Sequence, residues 1–179
     1  MPDTPMVFDA TPFMQDPERR QRRQDGSERE QLTAFLDFQR DTLLWKLSGL
    51  TDGQLRERRT PSGMSLLGLV KHLAYVERNW FQARFLGRDL YVPWRAGDPG
   101  ADFRIESDET PESVVRFYLD EVETSRGIVA AAASLDVVAV AGEPPRSLRW
   151  ILVHMIEESA RHCGHADFMR ELADGQTGE

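Results

Sequence analysis

The chain has 179 residues, of which 40% are hydrophobic and 29% charged, and its formal net charge is −8 at pH 7. This length suits one domain, and the composition excludes a wholly disordered or collagen-like chain. The negative charge disfavours nucleic acid and anionic membranes as partners, and no apolar run approaches the roughly 20 residues that span a bilayer.

Residues 1–26 contain several prolines and many charges, and we expect them to form a polar N-terminal tail. The arginines within residues 19–23 lie among acidic side chains, so they form only a weak basic patch. Apolar residues of the tail are expected to dock on the body or on a second subunit: Val7, Phe8, Phe13 and Met14.

The first helix is predicted to begin at Ser27, because Glu30 stands three residues on, which is the spacing of a capping box. Apolar residues at helical spacing continue to Leu50, and residues 51–53 are predicted to end the helix. A turn or short helix should follow over residues 54–59.

The second helix is predicted from Ser65 to Phe85, on an apolar stripe with alternating three- and four-residue steps. Gly87 fits its C-terminal stop. The connection over residues 88–108 exceeds a usual helix–helix link, and loops of this length are commonly functional or form crossovers.

The third helix is predicted to begin at Pro111, with Thr110 as its cap, and to fade by Leu135. Residues 137–140 are the one candidate for a short strand, since they are β-branched or small and apolar. Nothing in the sequence provides an obvious partner for this strand.

The fourth helix is predicted from Ser147 to about Leu172, and residues 176–179 form a short C-terminal tail. Four amphipathic helices and a lack of strand signals predict an all-α fold. We therefore expect a four-helix bundle over residues 27–175.

The fourth helix carries ionisable residues on its apolar stripe. Glu158 and His162 are four residues apart, so their side chains can converge on one point, and His165 follows on the same stripe. His72 stands beside the apolar stripe of the second helix. Two readings remain open from the spacing: a mononuclear metal site, or a hydrogen-bonded Glu–His cluster that only fixes the register of the bundle.

Residues 61–81 and 154–167 resemble the DinB-like superfamily, in particular its actinobacterial branch related to mycothiol-dependent maleylpyruvate isomerase and the mycothiol S-transferases. The resemblance implies an up-down-down-up bundle with a divalent metal at one end. Carried over by position, it implies His72, Glu158 and His162 as ligands, with zinc favoured over nickel.

The resemblance also implies a metal-dependent thiol S-transferase that joins a low-molecular-weight thiol of the mycothiol type to small electrophiles. His165 replaces part of the Arg-Gly-Gln that often follows this ligand in the family, and we expect it to transfer protons. Arg78 and Arg161 are candidates for binding anionic groups of the co-substrate, and Trp94 for covering the pocket.

Other functions and roles stay open at this point. The metal could activate water in a hydrolase, or the bundle could bind metal or a partner without turnover. His154 could be a ligand, support a ligand or be structural. The single Cys163 rules out an internal disulfide and favours a cytoplasmic protein. A homodimer is expected from bundles of this type.

Overall fold

A computed structural model describes residues 7–14, 25–98 and 100–178 of the chain. Among these residues the structure is all α and contains no β-strand, which confirms the predicted class. The prediction of a basic patch at residues 19–23 lies outside the described residues. The helices are α1 (Glu28–Trp45), α2 (Asp52–Arg56), α3 (Leu66–Glu77), which continues as a π-helix over Arg78–Phe85, α4 (Pro111–Ala131) and α5 (Leu148–Asp174).

Helix α1 begins where the capping box predicts, because the side chain of Ser27 accepts from the backbone of Glu30 and the Glu30 carboxylate accepts from the backbone of Ser27. The helix ends five residues earlier than predicted. Thr51 and Gln54 form a second capping box, so α2 starts at Asp52 rather than Gln54. A turn must precede the start of α2, and this turn ends α1 early. Leu50 is nevertheless buried, as the apolar pattern indicates.

Side-chain bonds between helices give their directions. Arg149, at the start of α5, pairs with Glu28 at the start of α1, and the Cys163 thiol lies 3.4 Å from the carbonyl oxygen of Gln39, so α1 and α5 run parallel. Arg78 of the α3 extension pairs with Glu121 of α4, and the Lys71 ammonium reaches Glu109 just before α4. Helices α3 and α4 are therefore parallel too. Helix α3 is antiparallel to α5, because His72 lies near Glu158 and Trp80 near Trp150. The order is up-down-down-up, as the resemblance implies.

The second predicted helix is continuous, but it changes its winding after Glu77. Glu77 is 1% exposed and accepts two hydrogen bonds from the guanidinium of Arg40 on α1, at 2.9 and 2.8 Å. From Arg78 the backbone adopts the wider π-helical turn until Phe85, and Gly87 follows with a φ of +70°. The predicted stripe ends at Trp80, which is half-buried, whereas Asn79, Phe81 and Gln82 are buried in the π-helical segment. A stripe with α-helical spacing does not predict this change of face.

Part of the N-terminal tail packs on the body. Phe8 and Met14 are buried, and the backbone of Phe8 exchanges hydrogen bonds with Leu50 and Gly49 at 2.8 Å each. The predicted strand over residues 137–140 is wrong, since only an isolated bridge joins Val138 to Ser147. No helix within the described residues is both long and apolar enough to cross a membrane.

Candidate metal centre

Helices α3 and α5 bring His72, Glu158 and His162 together, and these three residues form the candidate metal centre. One potential ligand atom of each lies within 4.8 Å of the others. The Oε1 atom of Glu158 is 3.3 Å from Nε2 of His162 and 3.7 Å from Nε2 of His72. The sequence thus predicts correctly which three side chains meet, although they stand on helices far apart in the chain.

His72 is oriented by a fourth residue. Its Nδ1 lies 2.6 Å from Oδ2 of Asp102, whose side chain is 7% exposed. The opposite nitrogen, Nε2, is buried and has no hydrogen-bond partner. If Nδ1 donates its proton to the carboxylate, the lone pair on Nε2 faces Glu158 and His162. Metal-binding histidines are commonly held in this way.

Asp102 reaches His72 because Gly68 lets the long α3–α4 connection cross the helix closely. A Cβ atom on Gly68 would lie 2.4 Å from the carbonyl oxygen of Phe103, well inside contact distance. Gly68 is one turn before His72 on α3. A glycine at position 68 therefore allows the connection to cross α3 next to the candidate metal centre.

Aromatic side chains from the same connection flank the His72 ring. The Phe103 ring stacks on it with a centroid distance of 4.2 Å and an interplanar angle of 13°. The Trp94 ring lies 6.2 Å away and is tilted by 50°. Trp94 is 36% exposed, and its role in covering the pocket stays a prediction.

The electrostatics of the cluster favour an ionised carboxylate. The hydrogen bond with His162 and the nearby imidazole of His72 hold the pKa of Glu158 far below its ordinary value. Burial lowers the pKa of His72, but the hydrogen bond with Asp102 and the nearby carboxylate of Glu158 outweigh burial, so the pKa rises above 6.5. Two imidazoles and a carboxylate, with one buried nitrogen unpartnered, are a donor set that suits zinc and related divalent ions.

His165 lies behind His162 rather than between the three residues of the candidate metal centre. Its Nδ1 is 3.3 Å from Nδ1 of His162, and the two rings meet edge to face at 5.2 Å. Burial, together with the nearby His162 and Arg161, lowers the pKa of His165. In this position it can orient His162 or accept a proton.

Two other candidates are not brought to the centre. The guanidinium of Arg78 lies against Glu121, at 2.6 and 3.0 Å, and over the ring of Phe117. Arg161 is exposed and pairs with Glu157 on its own helix at 2.7 Å. Both already neutralise a carboxylate, and their part in binding stays a prediction.

His154 also stands apart from the three residues of the candidate metal centre. Its ring stacks on Trp150 with centroids 5.1 Å apart and meets Trp80 edge to face at 4.6 Å. Cys163 is buried on the side of α5 that faces α1. Neighbouring residues of an α-helix point about 100° apart, so Cys163 points away from the centre to which His162 belongs.

Sequence reasoning missed Asp102, Phe103 and Gly68. Asp102 belongs to a run of acids that looks like a solubilising surface, and it is 30 residues from its partner, so no helical period connects them. The available signal was the unusual length of the connection together with an aromatic residue beside the acid.

Comparison with known proteins agrees with this geometry. The sequence model of the mycothiol-S-transferase family matches residues 31–175. A solved structure of a conserved protein from Enterococcus faecalis superposes with a TM-score of 0.58 at 18% identity, covering 85% of this chain and all of that one. At this identity the likeness concerns the fold alone. Among curated proteins, none matches the sequence.

Proposed function

The chain belongs to the mycothiol-S-transferase family, and from this premise we propose that it is a divalent-metal-dependent transferase of a low-molecular-weight thiol to small electrophilic molecules. The observation that carries the proposal is the meeting of His72, Glu158 and His162 with one buried nitrogen unpartnered. Mycothiol is the thiol that the family name indicates. A cytoplasmic location fits a thiol that must stay reduced.

The ligand set of the proposed site is His72, Glu158 and His162, with zinc as the first candidate ion. Such an ion supplies Lewis acidity, which lowers the pKa of a thiol and makes its thiolate available at neutral pH. Within the described part of the chain the ligand group contains three side chains. Sites with three protein ligands keep a position for substrate, whereas structural zinc sites are closed by four.

The other residues act on the ligands and on the pocket. Asp102 orients His72 and holds its proton on Nδ1, while His165 contacts Nδ1 of His162 and is placed to take a proton from the outer side of that ring. Phe103 and Trp94 keep water from the His72 face. A dry wall strengthens the charge interactions at the thiolate.

The proposal is tested by measuring thioether formation from mycothiol and 1-chloro-2,4-dinitrobenzene, with the protein stripped of metal and then reloaded with zinc. We expect activity that needs both zinc and thiol, and its loss in Glu158→Gln. Glu157→Gln is the matched control, because Glu157 is the exposed neighbour on the same helix.

The alternatives give different results in the same assay. Release of dinitrophenol in the absence of thiol would identify a hydrolase and contradict the transfer reaction. Bound zinc without turnover of this or other halogenated, epoxide and enal electrophiles would contradict an enzymatic role.

A further inference from the structure

A second cluster lies between the same two helices, two turns from the candidate metal centre. Trp80 of the α3 extension and Trp150 of α5 face each other with ring centroids 5.4 Å apart. The guanidinium of Arg84 lies 4.9 Å from the Trp80 ring centre, and that of Arg146 lies 4.6 Å from the Trp150 ring centre. Two cations are thus stacked on one aromatic pair.

These arginines differ from most arginines of the molecule. Arg40, Arg78, Arg126 and Arg149 are each paired with carboxylates. Within the described residues neither Arg84 nor Arg146 forms an ion pair, and the Nε of Arg84 is buried without a hydrogen-bond partner. A buried guanidinium nitrogen without an acceptor is costly, so an acceptor from outside the chain is expected here.

The backbone around Arg84 keeps its guanidinium in place. A Cβ atom on Gly142 would lie 2.7 Å from Nη1 of Arg84, and only the absent side chain leaves room for that nitrogen. The loop before α5, which contains Gly142, is held against Arg84 by a hydrogen bond of 3.0 Å from the backbone N–H of Ala141 to the carbonyl oxygen of Arg84. Burial, with the positive charges of Arg95 and Arg146 adding to it, lowers the pKa of Arg84.

We propose that Arg84 and Arg146, held on Trp80 and Trp150, form a binding site for an oxyanion, either a carboxylate or a phosphate. Stacking on the indoles fixes the planes of the guanidinium groups. Nη1 of Arg146 donates to the carbonyl oxygen of Pro144 at 2.9 Å, and the remaining N–H groups of the two arginines are the donors for an acceptor. In a chain with a net charge of −8, this local concentration of cations selects an anionic ligand.

The position of the site defines the substrate class, a step that rests on the proposed transferase function. Trp80 is eight residues beyond His72 on one helix, a rise of about 12 Å. His154, which packs against both indoles, is one turn before Glu158. The expected electrophile therefore carries a carboxylate or phosphate roughly two helical turns, on the order of 10 Å, from the carbon that the thiol attacks.

The test follows the indole N–H signals of the metal-free full chain by NMR during titration with benzoate, inorganic phosphate and neutral benzamide. We expect saturable shifts of Trp80 and Trp150 with benzoate or phosphate and none with benzamide. Trp45, which lies on α1, serves as an internal reference. A response to benzoate alone assigns a carboxylate, and a response to phosphate alone assigns a phosphate.

Variants decide whether the arginines are responsible. Arg84→Gln and Arg146→Gln should each weaken binding about tenfold or more, because each removes a charge-assisted hydrogen bond. Arg116→Gln, at an exposed arginine of α4, should leave binding unchanged. Arg146 precedes α5 in a loop, so its variant stays informative if Arg84→Gln unfolds.

An absent or non-saturable shift, an equal response to benzamide, or an equal loss in Arg116→Gln would overturn the site. The titration uses neither metal nor thiol. Anion binding without transferase activity would therefore refute the proposed function alone, and transferase activity without anion binding would refute this site alone.

Discussion

Replacing Asp102 by Asn tests whether the long connection takes part in metal binding. The carboxylate lies 2.6 Å from Nδ1 of His72, and a hydrogen bond to a charged acceptor is worth about 1.5–3 kcal/mol against about 0.5–1.5 kcal/mol for a neutral one. Asn keeps the shape and removes the charge. The difference of about 1–2 kcal/mol corresponds to about 5- to 30-fold weaker zinc binding.

The assay is competition for zinc between the protein and a chelating dye of known affinity, at fixed pH and ionic strength. Asp108→Asn is the matched control, because Asp108 is an exposed acid in the same connection. We expect its zinc affinity to equal that of the wild type. A change of less than about twofold in Asp102→Asn, or the same loss in both variants, would refute the role of Asp102 as an orienting partner.

Three further predictions concern the connection, the core and pH. Gly68→Ala should cost about 1–3 kcal/mol of the free energy of unfolding and also weaken zinc binding, because the new methyl group displaces the crossing backbone. Gly127→Ala is the control, because Gly127 lies in α4 with open space around it, and it should be neutral or stabilise the protein by up to about 1 kcal/mol. Urea unfolding measures the stability of both variants. Equal effects of the two substitutions would contradict the steric argument. Glu77→Ala leaves the guanidinium of Arg40 buried and unpaired, so a loss of about 3–5 kcal/mol is expected in the same unfolding experiment, and a loss below about 1 kcal/mol would contradict it. Zinc affinity should fall as the pH drops through the pKa of His72, because the proton competes with the metal. Since the pKa of His72 without metal lies above 6.5, the decline should begin at a higher pH than for an ordinary histidine. A zinc affinity that does not change with pH would disprove the assignment.

The sequence predicts the bundle and the pairing of Glu158 with His162 because both depend on short-range periodicity. Glu158 and His162 share one face of one helix, and the capping residues Ser27 and Thr110 mark two helix starts correctly. His72 is recognised only by the resemblance, since its distance along the chain from α5 carries no pattern.

The remaining features depend on contacts that no period describes. Asp102 reaches His72 through a loop, and its burial follows from a backbone crossing at Gly68, one glycine among 13 in the chain. The same holds for the arginines stacked on Trp80 and Trp150, which come from a helix extension and from a loop before α5. Sequence reasoning finds residues that share an element, and it misses residues that meet across a loop.

The metal content of protein prepared without an affinity tag tests the central claim most directly. Mass spectrometry should find close to one divalent ion per chain in the wild type and in Glu157→Gln, and a large loss in Glu158→Gln and His162→Ala. Glu158 and His162 share one face of α5, with Oε1 and Nε2 only 3.3 Å apart. Wild-type protein that holds no metal after incubation with zinc or nickel salts, or a Glu158→Gln variant that holds as much as the wild type, would contradict the account.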